Sequence, residues 1–310
     1  VFKAPRFDNI SPLPLGAFFM LHLTRRHTAF ALAASLAACG ERRPKHTDGP
    51  PEGSLGWAIA GPWRLEPARD RWRHPLQTLL FWGLEPGTRV LEILPGRGWY
   101  TAILAPYLAA TDGRLVAASF DPVNGSVAQR EVLADWEGRF LRDPARFGPP
   151  ERTILARGPL AAPGSIDLAI LANNVHTLMA EGAAERVFRG VFDALKPGGG
   201  FGVEQHRAAS TGLQDPLAGA GYVQEAYVRA LALEAGFEFV AASDVNANPR
   251  DTRDHPFGVW TLPPVLRTSP LGAPDDPNFD TTPYAAIGES DRMTLRFRKP
   301  TGPAAPNSQP

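Results

Sequence analysis

The chain has one cysteine, Cys39, in 310 residues. A lone thiol forms neither an intramolecular disulfide nor a cysteine metal cluster, so neither is a source of stability. Charge of one sign is also lacking: 32 Lys and Arg balance 32 Asp and Glu. Nucleic-acid binding draws on a clustered positive surplus, and nothing here argues for such a partner. No apolar run is long enough to cross a bilayer; the longest candidate, Ala29–Ala38, is too short for that. The late aspartates and His255 do not have metal-ligand spacing, so no metal site is expected. What the chain has in quantity is proline (32) and glycine (30), concentrated at both ends and over 248–290, which predicts long loops and tails there. The remaining apolar content is ample for a core.

Residues 1–19 carry Pro5, Pro12 and Pro14 and no foldable pattern. From Met20 the sequence changes: Arg25-Arg26, then the apolar stretch Ala29–Ala38, then Leu36-Ala37-Ala38-Cys39-Gly40. A positive segment followed by a short apolar one reads as a targeting segment. The terminal box resembles the bacterial lipoprotein signal, which implies lipid attachment at Cys39, and Thr24-Arg25-Arg26 is similar to the start of a twin-arginine export signal. The expected organisation is an export and lipoprotein signal over 1–40, a flexible tether over 41–56, one folded domain over 57–300 and a disordered tail over 301–310. The expected location is the periplasmic face of a bacterial membrane, or the cytoplasm if the signal is not used.

Within the folded part, apolar runs alternate with helical patterns. Strands are expected at Val90–Leu94, Arg114–Phe120, Thr153–Ala156, Ser165–Ala172, Phe201–His206 and Phe237–Ser243, with helices over Arg69–Trp82, Trp99–Leu108, Asn124–Leu141, Ala183–Leu195 and Tyr222–Ala235. Met293–Lys299 alternates apolar and polar residues, as a last antiparallel strand does. This rhythm predicts an α/β, doubly wound sheet, mostly parallel, in three α/β/α layers with right-handed crossovers.

The organising stretch is Arg89–Ala109, where a buried strand tightens into Pro95-Gly96-Arg97-Gly98 and runs on as a helix. Two glycines let the backbone approach a ligand, and the helix start presents unpaired N–H groups to it. A dinucleotide fingerprint asks for a third glycine where Thr101 stands. Glu92-Ile93-Leu94-Pro95-Gly96-Arg97-Gly98 instead resembles the E/D-x-G-x-G-x-G motif of class I S-adenosylmethionine-dependent methyltransferases, departing at Leu94. Ile166-Asp167-Leu168-Ala169, Leu195-Lys196-Pro197-Gly198-Gly199 and the closing Leu295-Arg296-Phe297 are similar to further pieces of that family, over roughly residues 70–300. EILPGRGWYTAILAPYL, NNVH, EQHR and AIGESDRMTLRF look like a group of bacterial methyltransferase-like proteins with signal peptides.

The resemblance implies a Rossmann-like fold, S-adenosylmethionine as cofactor, and methyl transfer to a small molecule. It implies cofactor binding by Glu92, Pro95, Gly96, Gly98, Tyr100 and Asn173. The family's ribose-binding acid falls on Ser119, with Asp121 on the same strand face as a substitute, and the adenine-binding acid has no counterpart in Arg157-Gly158-Pro159. Glu204 and His206, two apart on one strand, suit a base and its orienter. His176 is a second base candidate or a helix cap, and Asn174 shapes a turn. The proline-rich segment Asn246–Arg292 is expected to be an ordered lid with Trp260 or Tyr284 near substrate. The competing reading is an exported, lipid-anchored binding protein that keeps the fold without transfer activity, since the cofactor is made in the cytoplasm.

Overall fold

The computed structural model describes residues 49–302. The signal region with Cys39, the first part of the tether and the tail from residue 303 lie outside the described residues. The fold begins slightly earlier than expected, at α1 (Leu55–Ile59), because Ser54 Oγ accepts from Trp57 N at 3.1 Å and Leu55 is buried. The expected helix over Arg69–Trp82 is two: α2 (Asp70–Arg73) and α3 (Pro75–Trp82), separated by His74 at φ +35°. Proline at 75 disfavours helical backbone in the residue before it, which is why the chain breaks there.

Seven strands follow in one sheet: β1 (Arg89–Ile93), β2 (Arg114–Ser119), β3 (Glu151–Ile154), β4 (Ile166–Ala172), β5 (Leu195–His206), β6 (Glu238–Ser243) and β7 (Arg292–Arg298). The helices between them are α4 (Thr101–Ala110), α5 (Val127–Phe140), α6 (Pro144–Phe147), α7 (Val175–Ala180), α8 (Ala184–Ala194), α9 (Glu225–Glu234) and α10 (Thr282–Ile287). The order is β3-β2-β1-β4-β5-β7-β6, with β7 antiparallel to both neighbours. β5 starts before its expected position: Leu195 pairs with Ile166 and Gly200 with Leu168, so Lys196–Gly199 is a bulge inside the strand and not a turn ahead of it.

Alternation along the strands makes two buried faces. On one, Leu91, Ile93, Ala169, Leu171, Phe201, Val203 and Leu295 pack against Val187, Phe188 and Val191 of α8 and Val228 and Leu231 of α9. On the other, Val90, Leu115, Leu168 and Ile170 pack against Leu79 and Trp82 of α3, Ile103 and Leu104 of α4, and Trp136 and Phe140 of α5. Gly202 is required on this second face, since a Cβ there would lie 2.4 Å from the Trp82 ring.

Chain growth reverses direction between β1 and β4, both of which follow from the middle of the sheet outward. Ligands in open α/β sheets sit beyond the carboxyl ends of the strands at such a switch point. The segment between β6 and β7 folds onto this same edge. Asn246 Nδ2 donates to Thr78 Oγ1 (2.9 Å) and Thr294 Oγ1 (3.0 Å), and Asn248 Nδ2 donates to Glu289 O (2.6 Å).

Candidate functional site

β1 ends in a turn that reverses twice through left-handed backbone, at Leu94 (φ +50°) and Gly96 (φ +59°). Leucine in this conformation costs about 1–2 kcal/mol. Two hydrogen bonds over-determine it: Leu94 N donates to Ala118 O (2.8 Å), and Leu94 O accepts from Asn174 Nδ2 (3.0 Å), while its side chain is buried. The backbone shape of a glycine turn is therefore kept without the glycine.

Above this turn is a cleft of about 180 Å³ lined by Glu92, Pro95, Gly96, Tyr100 and Asn173, all expected from the sequence, together with Arg73 and Trp99, which were not. A Cβ on Gly96 would meet nothing within 4 Å, so this position opens onto free space. Gly98 has a different role from the one expected: a Cβ there would fall 2.1 Å from Phe140, and its φ is +91°. Its missing side chain makes room for Phe140 of α5. Asn173 sits at φ +54°, donates Nδ2 to Glu204 Oε1 (3.1 Å), and leaves Oδ1 buried without a partner.

Glu92 is buried, and accepts from Thr101 Oγ1 at 2.6 Å, whose own oxygen accepts from Trp136 Nε1 at 2.9 Å. Burial pushes the Glu92 carboxyl up to about 7, against the smaller opposing effect of Thr101's side-chain and backbone donors.

Asp121 does not face the cleft. Its Oδ1 accepts from Val123 N (2.8 Å) and Asn124 N (3.1 Å), and its Oδ2 from Asn124 Nδ2 (3.0 Å) and Arg157 Nη2 (2.8 Å). These donors, the Val123 N–H foremost, hold the carboxyl down at about 2. The carboxylate is spent on its own turn, because Pro122-Val123-Asn124 folds back beneath it and Arg157 closes over it.

The expected Glu204–His206 pair does not form. Glu204 is fully buried and receives Tyr100 OH at 2.7 Å, Asn173 Nδ2, and Arg292 Nε at 2.8 Å in an ion pair aimed off the ideal hydrogen-bond direction. The antiparallel register sets Arg292 beside His206 and Thr294 beside Glu204, which brings the guanidinium and not the imidazole to the carboxylate. His206 Nδ1 instead lies 2.6 Å from Ser290 Oγ. Burial, then His176, Arg292, Arg73 and Arg69, hold His206 well below the usual imidazole range, so the ring is neutral at pH 7.

His176 lies within α7 and caps nothing; Gln205 Oε1 accepts from Val175 N (3.0 Å) at that helix start. Gln205 Nε2 donates to Gly221 O (2.9 Å), and His176 Nδ1 lies 3.2 Å from Gln205 Nε2 and 3.5 Å from Gln205 Oε1. Burial lowers the His176 pKa as well. The His176 and His206 rings are 5.6 Å apart, and Trp260 is 5.8 Å from His176. Tyr284 is elsewhere, stacked on Phe279 at 5.5 Å.

The sheet order with its antiparallel β7 between β5 and β6 decides the fold. It is the order that the sequence resemblance to class I S-adenosylmethionine-dependent methyltransferases implies. No protein-family model and no curated protein matches the sequence. Among solved structures, a SAM-dependent methyltransferase from Aquifex aeolicus is similar with a TM-score of 0.45 and 18% identity, over 58% of this chain and 88% of its own. The [4+2]-cyclase SpnF gives 0.49 and 15%, over 82% and 98%. Phosphoethanolamine N-methyltransferase 2 from Haemonchus contortus, in complex with S-adenosyl-L-methionine, gives 0.47 and 14%, over 74% and 53%.

The residues of the cleft fit the amino-acid end of that cofactor: Gly96 leaves open space, Asn173 Oδ1 is an orphaned acceptor, and Glu92 supplies a carboxyl group. The cleft is smaller than the roughly 300–1,000 Å³ of pockets that enclose whole small molecules, so it receives part of a ligand.

The raised pKa of Glu92 has a consequence for stability. The folded chain keeps this proton up to about pH 7, whereas an unfolded carboxyl releases it near its ordinary 4.5. The unfolded state therefore loses the proton first, and stability falls as pH rises between those values, by about 3 kcal/mol. Glu92→Gln removes that fall. Chemical denaturation across pH 4.5 to 7.5 should show the variant gaining on the wild type as pH rises; parallel profiles would refute the shift.

Proposed function

We propose that this protein binds S-adenosylmethionine over the turn after β1 and transfers its methyl group to a small-molecule acceptor. The observation that carries this reading is the cleft at the switch between β1 and β4, where Glu92, Gly96 and Asn173 converge with an unfilled acceptor on Asn173. Bound there, the cofactor supplies the electrophilic methyl, and the protein aligns a nucleophile and accepts its proton.

His206 suits the proton acceptor. It is neutral, and the tautomer with Nδ1–H toward Ser290 Oγ, 2.6 Å away, leaves a lone pair on Nε2. His176, 5.6 Å from His206 ring to ring, suits holding a polar atom of the acceptor in place. Trp260, from the segment between β6 and β7, stands beside it and supplies apolar surface. Asp121 is committed to its own turn, so ribose recognition does not run through it. Calorimetry of the full chain with S-adenosylmethionine should give binding in the micromolar range; absence of heat up to millimolar ligand would reject the reading.

Export and lipid attachment at Cys39 belong to the same proposal and rest on the sequence of the Leu36–Gly40 box. Cys39→Ala should move the protein from the membrane fraction to the soluble fraction of an expressing bacterium. An unchanged distribution would argue against lipidation.

A further inference from the structure

Gln205 lies between Glu204 and His206 on β5, and alternation along the strand sends its side chain to the other face of the sheet. It is fully buried, and both ends of its amide are engaged. Oε1 accepts from Val175 N (3.0 Å), and Nε2 donates to Gly221 O (2.9 Å). Turning the amide over would set its NH2 against an N–H and its oxygen against a carbonyl, so these two partners fix which atom is which. Gly221 is itself held in place. Its φ is +81°, a Cβ on it would fall 2.4 Å from Val259, and Val259 N donates to Ala220 O (2.9 Å).

The amide nitrogen carries two hydrogens, and Gly221 O takes one. For the other, His176 Nδ1 stands 3.2 Å away, and Nε2 has no third partner among the described residues. The reverse arrangement, Nδ1–H to Oε1, would span 3.5 Å to an oxygen that already receives Val175 N–H. It would also leave the second amide hydrogen buried without an acceptor, which is costly. His176 is half-buried, beside His206 and Trp260, and its Nε2 makes no hydrogen bond to a described residue.

We infer that Gln205 is a positioning residue that holds His176 in the tautomer with its hydrogen on Nε2. The ring then presents a donor, opposite in kind to the bare Nε2 that suits His206 to accept a proton. A methyl acceptor fits this pair when it carries two polar atoms: the X–H to be methylated, toward His206, and a neighbouring lone-pair atom such as a carbonyl or second hydroxyl oxygen, toward His176. That role rests on the function proposed above, whereas the hydrogen bond itself is measured without cofactor or acceptor.

Nitrogen NMR of the labelled full chain at about pH 8, above the ordinary imidazole range, reads it directly. Wild type should show hydrogen on His176 Nε2, a bare Nδ1, and a coupling between Gln205 Nε2 and His176 Nδ1, which passes only through an N–H···N hydrogen bond. Gln205→Glu keeps the size and the contact with Val175 and puts an oxygen where the donor was. It should abolish the coupling and shift the hydrogen of His176 from Nε2 to Nδ1. An amide with a packing role alone would change stability and leave that hydrogen where it was. Hydrogen on Nδ1 in the wild type, or an unmoved hydrogen in folded Gln205→Glu, would overturn the inference. Should the variant fail to fold, the wild-type coupling decides alone: its presence supports the bond and its absence overturns it. Calorimetry with S-adenosylmethionine is read separately, so failure of the cofactor reading and failure of the Gln205 bond are told apart.

Discussion

The carboxylate of Glu289 receives Arg69 Nε at 2.6 Å, Arg73 Nε at 3.1 Å and Arg292 Nη1 at 2.7 Å, and the carboxyl edge of the sheet is assembled around it. Burial alone would raise its pKa, but Arg73, Arg292 and Arg69 outweigh it and hold the group at about 2. Ions taken out of water are costly, and a pair inside a protein persists only when its geometry and further hydrogen bonds return that cost. Here the return comes from sharing. One carboxylate ties Arg69, Arg73 of α2, the residues leading into β7, and β7 itself, which are up to 220 positions apart in sequence.

From that knot the site inherits its chemistry. Arg292 Nε reaches Glu204, which in turn takes Tyr100 OH and Asn173 Nδ2, so the carboxylate on β5 ties the aromatic of the β1 turn to β4 and β7. Because Glu204 is held this way, His206 is left to Ser290, the residue next to Glu289. Burial first, then His176 and the surrounding guanidiniums, keep the ring neutral. The same knot aims Arg73 toward the cleft. One constraint thus sets the cation, the neutral imidazole and the position of the segment between β6 and β7.

Much of this was legible in the sequence where the signal was local. Strand alternation and apolar runs marked six of the strands within a few residues, and Met293/Leu295/Phe297 against Thr294/Arg296/Arg298 marked the antiparallel one. Glu92, Pro95, Gly96, Tyr100 and Asn173 could be placed at one edge because each ends a strand or opens the turn after one. The steric demand on Gly98 was not legible, since a glycine required by a neighbouring ring looks the same in sequence as one required by a ligand, and Phe140 lies forty-two positions away. Glu204 and His206 share a strand face as period two requires, but their partners come from β7 and from Ser290, and no short-range pattern announces either. Arg73 was invisible for the same reason: it reads as one more basic residue in Arg69–Arg73 until Glu289 gives it a direction.

The central claim is that Glu289 holds these elements as one unit. Hydrogen exchange on the full chain carrying Glu289→Gln tests it most directly. Removing one partner from a buried ion cluster costs about 3–5 kcal/mol, so the account predicts that amides of α2, of residues 286–292 and of the β5–β7 carboxyl ends lose protection together while β1 and β2 keep theirs. Loss confined to the residues flanking position 289, with α2 and β5 as protected as before, would contradict it.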